Sequence, residues 1–579
     1  MKIVKNQSII VLSLFLSLFV LFTSCKSDET ETPTPQQTDF SENWGAVVSR
    51  DFMGKIVDEN DNPLSGVQVE IGSDMTTTDA NGIFVINGAS VHERFAYITA
   101  KKAGYINSSR SMIPTEGINY AEIKALAEEL VNLVASGADS EVNLPNGTTI
   151  KLDGAFKDEN GNAYSGNVNV YMHHLSPSDL DINKTMPGML YAQNADNEER
   201  TLETYGMIHV ELRGSGGEKL NIADGHTAEI EFPMDVTQTN APNVIELWHF
   251  DEEKGYWVED GTATKIGNKY VGEVSHFSWW NCDAQFPTIT LCMNLEDTNT
   301  NPIYGVIVEF WRSGATYPRT GMSNGNGEIC GLVPANETLT MIVKDPCGNQ
   351  VSTTTIGPFS TNTDYGVVSV PALVTSTVSG TLLDCNSNIV TDGYVSLKYD
   401  IYNELIFSVT NGSFTFTTAG CNSLTNFTLE GIDNNGFQTS GIINYTFTAP
   451  ATNVGNLIAC GTIPEYLIYQ IDNDPVVSLL TNLSGYVQGN SVSAGGNSNN
   501  DMLYVSGNSI IPGTYNSPNF DIGELNDRDY NVPTNIQFVL SNVGTSIGDY
   551  IDMTFSGTYT STTSGVRNIT GTVHVKRDN

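Results

Sequence analysis

Basic residues are scarce in this chain: 27 Lys and Arg stand against 66 Asp and Glu, for a net charge of −39. So acidic a surface repels phosphate backbones and anionic headgroups, which excludes nucleic-acid binding and leaves membrane attachment to something other than charge. Cysteine is absent between Cys25 and Cys282, and no Cys-x-x-Cys pair occurs anywhere. A zinc site of the usual spacing is thereby excluded. Long apolar runs are missing too. The stretch from Ile9 to Phe22 falls short of the roughly 20 residues that a spanning helix needs.

What is present is a recurring turn. It reads Asp58-Glu-Asn60-Asp-Asn62-Pro-Leu-Ser-Gly66, then Asp158-Glu-Asn160-Gly-Asn162-Ala-Tyr-Ser-Gly166, then Asp297-Thr-Asn299-Thr-Asn301-Pro-Ile-Tyr-Gly305. A looser copy is Asp384-Cys-Asn386-Ser-Asn388. Each copy follows a short apolar run and leads into an alternating one, such as Val67-Gln-Val69-Glu-Ile71 or Val306-Ile-Val308-Glu-Phe310. Asp, Asn and Gly close tight turns, and period-two alternation marks half-buried strands. The repetition therefore predicts an array of related β-units.

The N-terminal segment reads as an export signal: Lys2 and Lys5, the apolar run, then Thr23-Ser24-Cys25. Phe22-Thr23-Ser24-Cys25 resembles a bacterial lipobox. That resemblance implies removal of residues 1–24, diacylation of Cys25 and anchorage to the outer membrane through the acyl chains. Residues 25–48, beginning Lys26-Ser-Asp28-Glu29-Thr-Glu31, have too little apolar surface to fold and form a tether. The acidic residues just after Cys25 resemble the surface-export signal of Bacteroidetes lipoproteins, implying exposure on the cell surface.

Residues 49–118 carry Gly54-Lys-Ile56-Val57, Pro63-Leu64-Ser-Gly66-Val67 and Thr78-Asp79-Ala-Asn81-Gly82-Ile-Phe84. This unit resembles the carboxypeptidase regulatory-like domain, which implies a transthyretin-like β-sandwich and a non-catalytic role. Residues 119–282, with Thr204-Tyr-Gly206-Met207 and Gly255-Tyr-Trp257-Val-Glu259, resemble a β-rich module of cartilage intermediate layer protein. Residues 283–375 and 376–461 repeat the first unit as Ig-like sandwiches, and 462–579 form a C-terminal β domain. The expected fold is thus all-β, with tandem Ig-like or transthyretin-like sandwiches behind the lipoprotein signal and tether. The stretch from Ala121 to Val134 fits a helical and a strand period alike; the repeated layout favours strand.

Several patterns invite a chemical reading. The first turn is spelled like a calcium loop, but an EF-hand needs Gly at position six and Glu at twelve, and Pro63 and Val69 stand there. Gly544-Thr545-Ser546-Ile547-Gly548 spells a nucleophile elbow, yet a strand pattern rather than a helix follows it. His173, His174, His209, His249 and His276 all fall in 119–282; a metal would need three of them at one spot. No metal, cofactor or catalytic residue is therefore expected. Trp248, Trp257, Trp279 and Trp280 also fall there, and adjacent Trp279 and Trp280 on one strand must face opposite ways. Filling a sandwich core is the ordinary outcome for such rings and is preferred here; the alternative, with one of the adjacent pair outside, makes the four the candidate ligand surface. Cys282, Cys292, Cys330, Cys347, Cys385, Cys421 and Cys460 are candidate disulfide cysteines; being seven, they leave at least one unpaired in the chain.

These readings point to a non-catalytic lipoprotein of the outer membrane and cell surface, acting in binding, adhesion or scaffolding on a glycan or protein ligand. Two alternatives stand beside it. One is a glycan- or peptide-acting hydrolase accessory with its site in 119–282 or 462–579, for which Glu203, Glu211, Glu246 or Asp251 would have to converge in a pocket. The other is a structural protein facing the periplasm.

Overall fold

The computed structural model describes residues 39–579 apart from 103, 400–403, 421–425, 437, 463–464, 473, 475–476, 480–481 and 499–500. Cys25, the signal and the tether up to residue 38 lie outside the described residues, as does Cys421; the tether expected to run to 48 is structured from Phe40, whose ring is buried with Phe95, Tyr191 and Tyr256. The fold is all-β. Among the described residues the only helical pieces are a 3-10 turn at Phe40–Trp44 and a single α-turn at Ile182–Thr185.

The repeated turn is an Asx turn of fixed geometry. Asp58 Oδ1 accepts from the backbone N–H of Asn60 (2.8 Å) and Asn62 (2.9 Å), while Oδ2 accepts from Asn62 Nδ2 at 3.0 Å. Asp158, Asp297 and Asp384 repeat all three bonds. A fifth copy, Asp345-Pro-Cys347-Gly-Asn349, is built the same way. Both carboxylate oxygens are committed to protein donors, and the amides of Asn162 and Asn388 hold Asp158 and Asp384 below the usual carboxylate range. The fourth residue of each turn adopts positive φ: Asp61, Gly161, Thr300, Gly348 and Ser387.

Thr300 stands out among these, because a β-branched residue at φ +63° crowds its own carbonyl. The left-handed region costs such a residue about 1–2 kcal/mol, and glycine gives back roughly 0.5–1 in chain entropy. Thr300→Gly is expected to stabilise the protein by about 0.5–1 kcal/mol, read as a higher thermal midpoint. Gly161 at the equivalent place is the natural precedent. An unchanged or lower midpoint would show that the strain is not there.

Three sandwiches share one topology. In the first, the opening strand Val47–Val57 pairs antiparallel with Ile83–His92 on one side and parallel with the closing strand Asn119–Lys124 on the other. The second uses the later half of Trp279–Glu296, with Glu328–Pro334 antiparallel and Thr363–Ser369 parallel. The third uses Thr375–Asp384, with Ser413–Ala419 and Ala451–Ala459. Opposite each three-stranded layer lies a second sheet, for example Asp74–Thr77, Gln68–Ile71, Ala96–Lys101 and Ser108–Met112 in the first sandwich. Alternating residues fill the space between; Val69, Ile71, Phe84 and Ile123 are fully buried in the first core.

This pairing moves the boundary expected at 118/119. Asn119–Lys124 closes the first sandwich instead of opening the next module, because the opening strand would otherwise leave a polar edge unpaired. The boundary expected at 282/283 falls inside the unbroken strand Trp279–Glu296. The ambiguous stretch resolves into strands, Asn119–Lys124 and Leu130–Ala135, as the repeated layout favoured. Gly544 to Gly548 form the loop of the hairpin Asn535–Val543/Tyr550–Ser561, with no helix after it.

The sandwiches do not form an open string. Met53 and Ile83 of the first pack against Tyr394, Ile406 and Ile432 of the third. Tyr394 Oη donates to Asp79 Oδ2 at 2.6 Å, and Lys55 pairs with Glu404. The first also meets the second, where Glu328 Oε2 accepts from Gly117 N–H at 2.8 Å and Asn324 Nδ2 donates to Thr115 Oγ1 at 2.9 Å. Tyr304 Oη of the second donates to the Ile406 carbonyl of the third at 2.9 Å. The three sandwiches, the first of them separated from the others in sequence by the central module, thus close into a mutual junction.

Candidate functional site

The four tryptophans do not form a surface. Trp248, Trp257, Trp279 and Trp280 are at most 2% exposed. Trp279 and Trp280 do face opposite ways, as strand geometry requires. Trp280 enters the core containing Ile208, Leu247 and Tyr270, and its Nε1 donates to the His276 carbonyl at 3.0 Å. Trp279 enters a second core with Trp248, Trp257, Leu202 and Met207. The alternative with one ring outside fails because Ile106 and Leu126 of the first sandwich cover that second face.

The histidines are likewise built in. His209 is 3% exposed, lies 4.9 Å from the Trp279 ring, and burial holds it down to about 3. Burial also pushes His174 and His249 down to about 4. Among the described residues no three His, Cys, Asp or Glu side chains group around a possible metal position. The four acids are held separately: Glu203 by Arg312 (2.7 Å), Glu211 by Arg213, Asp251 by Lys254 (2.8 Å), and Glu246 by Gln285 Nε2 at 3.5 Å.

The cysteines divide. Cys292 and Cys330 stand opposite in register and are bridged, with Cα atoms 4.1 Å apart. Cys385 and Cys460, just beyond the ends of a parallel strand pair, are bridged with Cα atoms 4.9 Å apart. Cys347 is disulfide-bonded as well. Cys282 is a free buried thiol and not a disulfide cysteine, since its strand places it in the core beside Leu247 and Trp280.

The structure builds a different site, a cavity of about 210 Å³ at the mouth of the second sandwich. Its floor is that sandwich's own core, with Leu291, Met293, Ile329 and Leu339. Its rim comes from three parts of the chain: Arg110 on Ser108–Met112, Glu203 on Glu199–Gly214, and Arg312 and Arg319 on the paired strands Ile307–Arg312 and Arg319–Met322. Phe310 and Arg312, two apart, share a face, and Phe310 stands directly opposite Arg319. Arg312 lies over the Phe286 ring, 4.4 Å from its centroid, and pairs with Glu203. Arg110 Nη1 donates to the Gly188 carbonyl at 3.0 Å, and the Tyr317 hydroxyl is 2.9 Å from Thr237 Oγ1.

Arg319 makes no hydrogen bond or ion pair among the described residues. Burial lowers both Arg110 and Arg319 to about 10. Sequence reasoning missed this site because its residues are spread over some 230 positions. The signal was present in Phe310-Trp-Arg312 and Tyr317-Pro-Arg319, two of the ten arginines set among aromatics in an acid-rich chain.

Fold and site together define a tandem β-sandwich protein with a basic, aromatic-lined cavity where its repeats meet. No family model matches the chain. It is similar to cartilage intermediate layer protein 2 of Homo sapiens, at 24% identity over 222 residues, which covers 36% of this chain and 19% of that protein. The Mus musculus protein of the same name matches at 26% over 221 residues, covering 35% and 18%. The matched part thus spans about a fifth of the length of these curated relatives. Among solved structures, the Bacillus anthracis TIE protein matches at 8% identity with a TM-score of 0.14, covering 72% of this chain and 51% of that one. The major pilin subunit of Bacillus cereus matches at 10% with a TM-score of 0.12, covering 72% and 99%. Scores this low say nothing of function.

Proposed function

We propose that this chain is a non-catalytic lipoprotein of the cell envelope, anchored through acyl chains on Cys25 and exposed on the cell surface. Its described β-units act there as one compact binding or scaffolding body. The observation that carries this reading is the junction of the three repeats: Lys55–Glu404, Tyr394–Asp79 and Tyr304–Ile406 tie the first, second and third sandwiches together. Half-buried polar contacts of this kind fix a relative orientation, which suits presentation of a surface and not a flexible spacer. The enzyme alternative draws no support from its own candidates, since Glu203, Glu211 and Asp251 are each engaged by a neighbouring cation.

Protease shaving of intact cells, with lysed cells as control, tests the placement. Digestion on intact cells is the expected result. Cleavage only after lysis would sink the surface reading and leave the periplasm-facing alternative.

A further inference from the structure

We propose that the cavity at the mouth of the second sandwich binds a small organic carboxylate with an apolar body about one ring in size. The proposal rests on the binding-protein reading above and gives it a ligand class.

Charge comes first. In a chain of net charge −39, three of the ten arginines converge on one cavity, and only Glu203 on its lining opposes them. Glu203 is engaged by Arg312 at 2.7 Å, and among the described residues neither Arg110, which meets the Gly188 carbonyl, nor Arg319 has a carboxylate partner. A guanidinium in a half-buried site without a partner is costly, and a protein keeps one where an incoming anion completes it. Arg319 is that group: among the described residues it has no hydrogen-bond or ion-pair partner, while its neighbour Arg312 is held by both Glu203 and the Phe286 ring. The planar fork of arginine matches a carboxylate with two parallel hydrogen bonds.

Size and lining give the rest. A dry cavity of about 150 Å³ accepts benzene, so about 210 Å³ accepts one ring together with a carboxylate. Phe286, Phe310 and Tyr317 offer ring faces and edges for stacking. Met186, Met189 and Met293 supply adaptable apolar contact. Cations are disfavoured by Arg110 and Arg319. A fully polar ligand would leave the floor of Leu291, Ile329 and Leu339 against its hydroxyls.

The test is isothermal titration of the full chain in detergent with 3-phenylpropanoate. Neutral 3-phenylpropan-1-ol, 3-phenylpropylamine and phenyl phosphate serve as comparisons. The carboxylate is expected to bind saturably and at least tenfold more tightly than the alcohol, with no binding of the amine. Arg319→Gln is expected to weaken the carboxylate at least tenfold while leaving alcohol binding unchanged; Arg319→Lys, which keeps the charge and loses the fork, falls between. Both variants should melt at or above the wild-type midpoint, because each removes a half-buried fork that has no partner among the described residues. Equal affinity for acid and alcohol, no effect of Arg319→Gln in a folded variant, or tenfold tighter binding of phenyl phosphate overturns the assignment. Each of these leaves the shaving result untouched. Conversion of the bound acid to a new product, seen by NMR, would instead overturn the non-catalytic reading and keep the site.

Discussion

Replacing Trp280 with alanine is expected to destabilise the central module by about 4 kcal/mol, since large aromatic-to-alanine changes in well-packed cores cost about 3–5. Trp280 is among the largest fully buried side chains, surrounded by Ile208, Leu247 and Tyr270. Truncation removes its apolar transfer energy and leaves a void that neighbouring strands cannot collapse into, because each is held in a ladder on both sides. It also deprives the His276 carbonyl of the indole N–H it accepts. A tryptophan on an exposed ligand face would change stability by no more than about 0.5 kcal/mol on the same substitution. Denaturant unfolding of wild type and Trp280→Ala separates the two outcomes. Trp280→Phe should recover part of the loss, as it restores ring volume without the hydrogen bond.

Lowering the pH from 7 toward 4 is expected to destabilise the same module, with His209 a leading contributor. Its imidazole is held down to about 3 by burial first, and then by the positive charges of His173, Lys219 and Arg213. In the unfolded chain it titrates near 6.5. Above about 6.5 both states are neutral, and His209 contributes no pH dependence. Between 6.5 and about 3 the unfolded state takes up a proton that the folded state refuses, so stability falls as pH falls. At about 1.4 kcal/mol per unit, the loss by pH 4 is on the order of 3 kcal/mol for this group. Asp283 works in the opposite direction: burial pushes its carboxyl well above 3.8, and acid favours the folded form that holds that proton. His209→Phe isolates the histidine. The variant keeps a ring against Trp279 and removes the buried Nδ1, which has no hydrogen-bond partner among the described residues. Its unfolding free energy should lose about 3 kcal/mol less than wild type between pH 7 and pH 4. Parallel pH profiles would mean that the imidazole is protonated in the fold.

Local chemistry was legible in the sequence and long-range pairing was not. The Asp-x-Asn-x-Asn turns were readable because each bond they make spans two to four residues. The fifth copy at Asp345 is harder to read because Cys347 stands at the middle Asn of the pattern and Pro346 before it, while the Asp and the last Asn, whose side chains bond, remain. Opposite facing of Trp279 and Trp280 followed from the pleat; burial of both did not, since it depends on Ile106 and Leu126 being brought over the sheet. The closing strand Asn119–Lys124 pairs in parallel with residues about 67 positions earlier, and no local signal announces such a partner. The cavity lay hidden for the same reason. Arg110, Glu203 and Arg319 meet only because the first sandwich, the central module and the second sandwich pack together around one cavity.

The parallel closing strands also decide how the repeats respond to tension. In the third sandwich the chain enters at Thr375 and leaves at Ala459, at opposite ends of two adjacent strands running the same way. A pull on the chain therefore loads their ladder in shear, so its hydrogen bonds resist together and do not open one by one. The Cys385–Cys460 bridge, one residue past the last pair of that ladder, carries the same load covalently. Everything between the two cysteines is bypassed by the force. What stays in the load path is the strand Thr375–Asp384, already near full extension, so the unit cannot be drawn out while the bridge stands.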